Sequence, residues 1–278
     1  MPTVKELLAH ARVRLAETET PSLDARLLLQ HAAGLDHVAL VADPDLVVSA
    51  EVAAQFEVMV ARRAAYEPVS RILGKREFFG RSFKVTPDVL DPRADTETIV
   101  ELCLQLLPEG QRLRVLDLGT GSGILAVTIL AERPLATGVA VDLSPAALDV
   151  ARQNAVRVAD RIDLRESNWF SHVDGRFDLI VSNPPYIPAA DVLRLDIEVR
   201  DHDPHLALDG GADGLACYRA IASGCVHHLF ERGYAIVEIG AGQQTDVTEI
   251  FIAQQFQLIA QSQDLGGHVR ALAFQKKP

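Results

Sequence analysis

Apolar residues recur along this chain with two different periods, and the change falls near residue 67. In the first stretch, Val4, Leu7, Leu8, Ala11 and Leu15 step by three and four residues, the spacing of one helix face. Thr3 with Glu6 three positions later has the capping-box pattern that starts such a helix. A second helix is predicted from Ser22 to Gly34, a residue suited to the left-handed cap, and a third over 36–42. Ser49 opens a fourth, in which Val52, Phe56, Met59, Val60 and Arg63 share a face. These stripes predict a small helical bundle over residues 1–75. The pattern breaks at Glu67-Pro68. "REFFGRSFKV", two short aromatic runs around Gly80, predicts a hairpin, read as a linker over 76–90.

From Asp91 to the C-terminus the period alternates. Short apolar strands are predicted at 113–118, 137–142, 161–165, 177–182, 234–239, 256–261 and 269–275, with helical stretches between most of them. Strands alternating with helices predict an α/β domain over 91–278, with a mostly parallel seven-stranded sheet covered on both faces.

Composition narrows the function. At 278 residues the chain can build one large α/β domain and a small helical partner. Its net charge of -11 argues against tight, nonspecific contact with a nucleic-acid backbone. The three cysteines, Cys103, Cys217 and Cys225, form no CxxC and no metal spacing, so reduced thiols in packing positions and no metal are expected. "RDHDPH" at 200–205 reads as a solvated loop near the site's mouth, and His227 and His228 fall on different faces of a predicted helix. The N-terminus has early acids and no apolar core, unlike a signal peptide. No apolar run is long enough to span a bilayer. A cytoplasmic protein with no membrane role is expected.

Two places carry candidate chemistry. "RVLDLGTGSG" brings a strand to Gly119, Gly121 and Gly123, followed by a helical run. Glycines at such a turn let a ligand approach the backbone. A dinucleotide fingerprint requires glycine where Ile124 stands, and no Gly-Lys-Ser/Thr follows as in a P-loop. Asp142 ends the next strand, where an acid can accept both hydroxyls of a ribose. Together these suit a nucleoside without a pyrophosphate. Asp117 either faces the positive end of such a ligand or anchors the loop. The second place is "FDLIVSNPPYIP", in which an apolar strand stops at Asn183, Pro184, Pro185 and Tyr186. The two prolines fix the backbone. The turn then presents two acceptors, the Asn183 side-chain oxygen and the Pro184 carbonyl, beside the Tyr186 ring. Such a set suits a planar NH2 group, at which positioning and electrostatics can carry catalysis.

"DLGTGSG", Asp142 and "NPPY" together resemble an S-adenosylmethionine-dependent methyltransferase acting on a planar nitrogen. Nearly the whole chain resembles the peptide chain release factor glutamine methyltransferase (PrmC or HemK) family, through "EPVSRILGKREFFGRSFKV", "DPRADTE", "NWF", "NPPYIP", "LALDGGADGL" and "VEIGAGQ". The resemblance implies S-adenosylmethionine as methyl donor and S-adenosylhomocysteine as product. It implies class 1 release factors as partners, with the methyl placed on the glutamine side chain of their Gly-Gly-Gln motif. It also implies that Gly119, Thr120, Gly121, Ser122 and Gly123 line the donor, that Asp142 holds its ribose and that Trp169 lies by its adenine. It further implies that Asn183, Pro184, Pro185 and Tyr186 bind the target amide, with Asn183 also at the donor. The helical domain over 1–75 lacks any acid–base constellation and is expected to recognise the substrate. The chain departs from the family pattern at Asp91, Ala94, Asp203 and in "DLGGHVRALAF", which keeps Arg270 but lacks the charged cluster. The rival readings are a glutamine methyltransferase of a ribosomal protein, an amino-methyltransferase of DNA or RNA, and a noncatalytic module. A monomer is expected.

Overall fold

The computed structural model describes residues 1–277 and divides into two compact units. The first comprises Met1–Lys75 together with Asp196–His202. Its helices are α1 (Val4–Arg14), α2 (Pro21–Ala33), α3 (His37–Ala42), α4 (Ala50–Ala64) and α5 (Val69–Leu73). The capping box at α1 is reciprocal: the Glu6 amide donates to Thr3 Oγ1 over 3.3 Å and the Thr3 amide to Glu6 Oε2 over 2.9 Å. Helix α2 starts one residue ahead of Ser22, because Pro21 takes the first helical position, where its missing N–H costs nothing. It ends at Gly34 with φ 64°. Asp36 and Ser49 cap α3 and α4. Helix α5 was not expected. Its five residues are too few to show a period, and it is bounded by Pro68 and a left-handed Gly74. Val4, Leu28, Leu29, Phe56 and Val60 form the core. Arg63, at the end of the α4 stripe, is buried with them. Its Nε donates to Asp24 Oδ2 over 2.7 Å, and its Nη1 reaches Glu198 Oε1 over 2.6 Å.

The second unit comprises Arg76–Leu195 and Asp203–Pro278. It opens with the expected hairpin, strands β1 (Lys75–Phe78) and β2 (Arg81–Lys84). The hairpin is more than a connector, since Phe78 and Phe83 are buried in one cluster with Ile99 and Ile129. Then follow α6 (Glu97–Leu106), β3 (Arg114–Leu118), α7 (Ile124–Glu132), β4 (Thr137–Asp142), α8 (Pro145–Asn154), β5 (Ile162–Glu166), β6 (Phe177–Ser182) and α9 (Ala189–Val192). The helical turn α10 (Ile197–Arg200) lies in the segment grouped with the first unit. The chain closes with α11 (Ala216–His228), β7 (Leu229–Glu238), α12 (Gln244–Ala253), β8 (Phe256–Gln263) and β9 (Val269–Lys276).

Seven strands form one sheet in the order β5-β4-β3-β6-β7-β9-β8. The first five are parallel, and β9 runs antiparallel to both β7 and β8. Strand order reverses between β3 and β6, which pair with Val115 opposite Leu179. Alternate residues of β3 feed two cores: Val115 packs with Ile99 and Ile129 on one face, and Leu116 with Tyr218 and Phe251 on the other. Strand β7 begins at Leu229, ahead of the Tyr234 expected. Glu231, Arg232 and Gly233 interrupt its apolar run after Leu229 and Phe230, and a register shift between Phe177 and Leu179 absorbs the irregularity.

Candidate active site

The reversal between β3 and β6 leaves a crevice outside the carboxyl ends of the strands, where open α/β sheets bind ligands. Gly119, Gly121 and Gly123 all have positive φ, at 68°, 54° and 83°. That backbone region is open to glycine at no steric cost, and it folds "GTGSG" into a tight loop between β3 and α7. Asp117 anchors the loop. It is fully buried, and its Oδ2 accepts from Thr120 Oγ1 over 2.7 Å and from the Ala126 amide over 3.2 Å. Burial pushes its carboxyl up to about 7 in spite of those two donors.

Asp142 stands at the tip of β4 and is held by backbone. Its Oδ2 accepts from the Gly121 amide over 2.8 Å and its Oδ1 from the Ser144 amide over 2.9 Å. The β4 backbone also receives the loop, since the Gly119 and Thr120 amides both donate to the Val141 carbonyl over 2.9 Å. Partial burial raises the Asp142 carboxyl, and the backbone donors oppose the rise.

Gly119, Thr120, Gly121, Ser122, Asp142, Trp169, Asn183 and Pro185 all line one cavity of about 310 Å³. Trp169 is held at φ 50°, with its carbonyl accepting from Ser167 Oγ over 2.8 Å. Three expected site residues are off the wall. Gly123 caps α7 instead. Pro184 is buried. Tyr186 turns its hydroxyl toward Glu238 Oε1, 3.5 Å away. Burial raises that phenol, and the Glu238 charge adds to the rise.

The NPPY turn is held from several sides. Ser182 Oγ donates to the Leu118 carbonyl over 2.7 Å, tying the tip of β6 to the tip of β3. Asn183 Nδ2 donates to Thr96 Oγ1 over 3.2 Å. Gln243 Nε2 donates to the Tyr186 carbonyl over 2.9 Å. Ile187 and Gly210 exchange backbone contacts with their neighbours, the Gly210 amide donating to the Ile187 carbonyl over 2.8 Å. Three glycines leave room for this turn. A Cβ on Gly214 would lie 2.5 Å from the Tyr186 carbonyl oxygen, one on Gly210 2.8 Å from Tyr186 Cα, and one on Gly240 3.0 Å from the Tyr186 ring. The stretches "LALDGGADGL" and "VEIGAGQ" are therefore the packing surfaces of NPPY.

Two sequence expectations need correction. Asp203 is not part of a solvated loop. It is buried and accepts from the Asp91 amide over 3.1 Å and from Arg93 Nη2 over 2.8 Å. Two departures from the family pattern, at Asp91 and Asp203, thus meet in space. Cys217 is also more than a packing residue, because it lies on the cavity wall. Arg93, Thr96 and Glu238 were missed. Arg93 and Thr96 are on the wall, while Glu238 is fully buried behind Tyr186. Only their membership of "DPRADTE" and "VEIGAGQ" marked them beforehand. No cluster of His, Cys, Asp and Glu that could hold a metal occurs among the described residues. No helix among them is long and apolar enough to cross a membrane.

A glycine loop and a strand-tip acid at the reversal of a mostly parallel sheet define the S-adenosylmethionine-dependent methyltransferase fold. A methyltransferase from Pyrococcus furiosus shares that fold, with a TM-score of 0.54 at 18% identity over 80% of this chain and 98% of that one. The sequence matches the PrmC N-terminal domain over residues 6–74 and the methyltransferase small domain over residues 93–197. It is 43% identical to the release factor glutamine methyltransferase of Agrobacterium fabrum, over 97% of this chain and 96% of that one. With the protein of the same name from Cereibacter sphaeroides it shares 47% identity over 94% of each. The chain belongs to the release factor glutamine methyltransferase family, and it is a methyltransferase.

Proposed function

We propose that this enzyme transfers a methyl group from S-adenosylmethionine to the side-chain amide nitrogen of the glutamine in the Gly-Gly-Gln motif of class 1 release factors. The observation that carries the reading is that Asn183 and Pro185 share a cavity wall with Gly119–Ser122 and Asp142. A nucleoside site and an amide site then open on one space. The wall fits the donor: nothing stands within 4 Å of where a Cβ on Gly119 or Gly121 would project, and the carboxylate at Asp142 suits a ribose.

When bound, S-adenosylmethionine supplies a methyl group on a sulfonium, an electrophile that needs no further activation. The protein's task is the nucleophile. An amide nitrogen is poor in that role because its lone pair is delocalised into the carbonyl. Asn183 Oδ1, on the cavity wall, accepts one N–H bond of the target amide, and the Pro184 carbonyl, off the wall before substrate binds, accepts the other. This fixes the nitrogen and favours pyramidalisation, so the lone pair points at the donor's methyl. The alkylated nitrogen is a strong acid and loses its proton readily, so no resident base with a tuned pKa is required before transfer. Asp117 and Glu238, two carboxyls raised by burial, lie behind the wall and are not the bases of this reaction.

The test is transfer of labelled methyl from the donor to three acceptors: a class 1 release factor, a ribosomal protein rich in glutamine, and DNA. Label on the release factor alone, mapped to the Gly-Gly-Gln glutamine, is expected. Label on the ribosomal protein or DNA alone would sink the proposal.

A further inference from the structure

We propose that Thr96 is a positioning residue that fixes which end of the Asn183 amide faces the cavity, through a hydrogen-bonded chain ending on Glu238. The proposal rests on the preceding reading of Asn183 as an acceptor for the target amide. Thr96 closes the helical turn Ala94–Thr96 ahead of α6 and is 1% exposed. Its hydroxyl accepts from Asn183 Nδ2 at 3.2 Å and stands by the Glu238 carboxyl, whose charged form it favours.

The direction of this chain follows from the chemistry of its members. An amide NH2 can only donate, so the Thr96 oxygen accepts from Asn183. Threonine has one O–H, which is thereby assigned to Glu238, an acceptor. Every bond then runs one way, from Asn183 through Thr96 to Glu238. Reversing the Asn183 amide would require Thr96 to turn its proton to Asn183, leaving Glu238 without that donor. Glu238 is almost wholly buried, and its Oε2 has no hydrogen-bond partner. A further lost donor there is costly. Glu238 therefore selects the orientation that puts Asn183 Oδ1, an acceptor, away from Thr96 and toward the space where a target NH2 must bind. The opposite orientation would set NH2 against NH2.

The surroundings keep Glu238 in that role. Arg270 favours its charged form, while Asp95 opposes it, and the Tyr186 hydroxyl donates from the NPPY side. Arg270 is in turn paired with Asp264 at 2.7 Å and Asp95 at 3.3 Å. Either protonation state of Glu238 leaves it an oxygen that can accept from Thr96.

The experiment compares Thr96→Val, which keeps the shape and removes the hydroxyl, with Thr96→Ser, which restores it. Each is made in the full chain with wild-type Asn183 and with Asn183→Ala. Turnover on the protein substrate, KM and donor affinity by calorimetry are measured for all. The expected result is a kcat lower by about tenfold or more in Thr96→Val, with donor affinity unchanged and Thr96→Ser near wild type. In the Asn183→Ala background Thr96→Val should cost no further turnover, since the two residues act as one unit. Should Thr96→Val fail to fold, Thr96→Ala carries the same comparison. Unchanged kcat in Thr96→Val overturns the proposal. So does a loss that serine fails to rescue, or one that adds fully to that of Asn183→Ala, since both describe a structural residue. If Asn183→Ala itself turns over normally, it is the reading of the amide site that has failed.

Discussion

Asn183 and Asp142 lie on one cavity wall, yet their substitutions should separate cleanly. On the proposed reading, Asn183 interacts most strongly as the amide pyramidalises, so Asn183→Ala should cut kcat by about a hundredfold and leave donor affinity nearly intact. Asp142 is bound into the glycine loop through the Gly121 amide. Asp142→Ala should instead weaken donor binding first, by about tenfold or more, a change that equilibrium binding measures directly. Asp117 and Glu238 are held at about 7, above their ordinary 3.8 and 4.5, chiefly by burial. The folded protein thus keeps protons that the unfolded chain has already released between about pH 4 and 7, so stability from these groups falls as pH rises through that window. Thermal unfolding should show a higher midpoint near pH ~5.5 than near pH ~8, with Asp117→Asn flattening the difference. A midpoint rising over that range would contradict the assignment.

Among the elements, the NPPY turn shows what a sequence can and cannot display. Strands β3, β4 and β6 were legible because buried parallel strands read as dense apolar runs, and Gly119 to Gly123 stood out between strand and helix. Helix α5 is too short to show a period, and Glu231, Arg232 and Gly233 break the apolar run of β7, so neither was visible. The supports of NPPY were hidden for another reason. Thr96 and Gln243 lie 87 and 57 residues from their partners in the turn, and no local pattern signals such a pairing. Gly214 illustrates the cost of the arrangement. A methyl there would meet the Tyr186 carbonyl at 2.5 Å and Gln243 Nε2 at 3.0 Å, on a backbone with φ 74°. Gly214→Ala should lower the melting temperature and depress turnover together. The Asn183 substitutions should affect turnover alone. Wild-type turnover in Gly214→Ala would mean that NPPY tolerates a shifted backbone.

At the level of the whole molecule, one glutamine must be chosen among many. A glutamine side chain offers too few contacts for that selection, so specificity must come from surface remote from the reacting nitrogen. We propose that the first unit supplies it. Its residues 1–75 carry ten acidic and eight basic side chains, a balance unlike a nucleic-acid footprint. Deleting the bundle is a poor test, because Asp196–His202 is packed in the same unit, with Glu198 paired to the buried Arg63. A cut near Phe83 would strip that segment of its contacts. Surface substitution leaves the fold intact. Val38 and Val41, three residues apart on α3, are 71% and 63% exposed, and positions three apart share a helix face. On that proposal, this exposed apolar pair is the contact the first unit would present to a release factor. Replacing both by glutamate should raise KM for a whole release factor by about tenfold. Methylation of a short Gly-Gly-Gln peptide and the melting temperature should stay unchanged, because neither depends on that face. Equal losses on the protein and the peptide would mean that the substitutions disturb the enzyme itself. No loss on either would remove α3 from the docking surface.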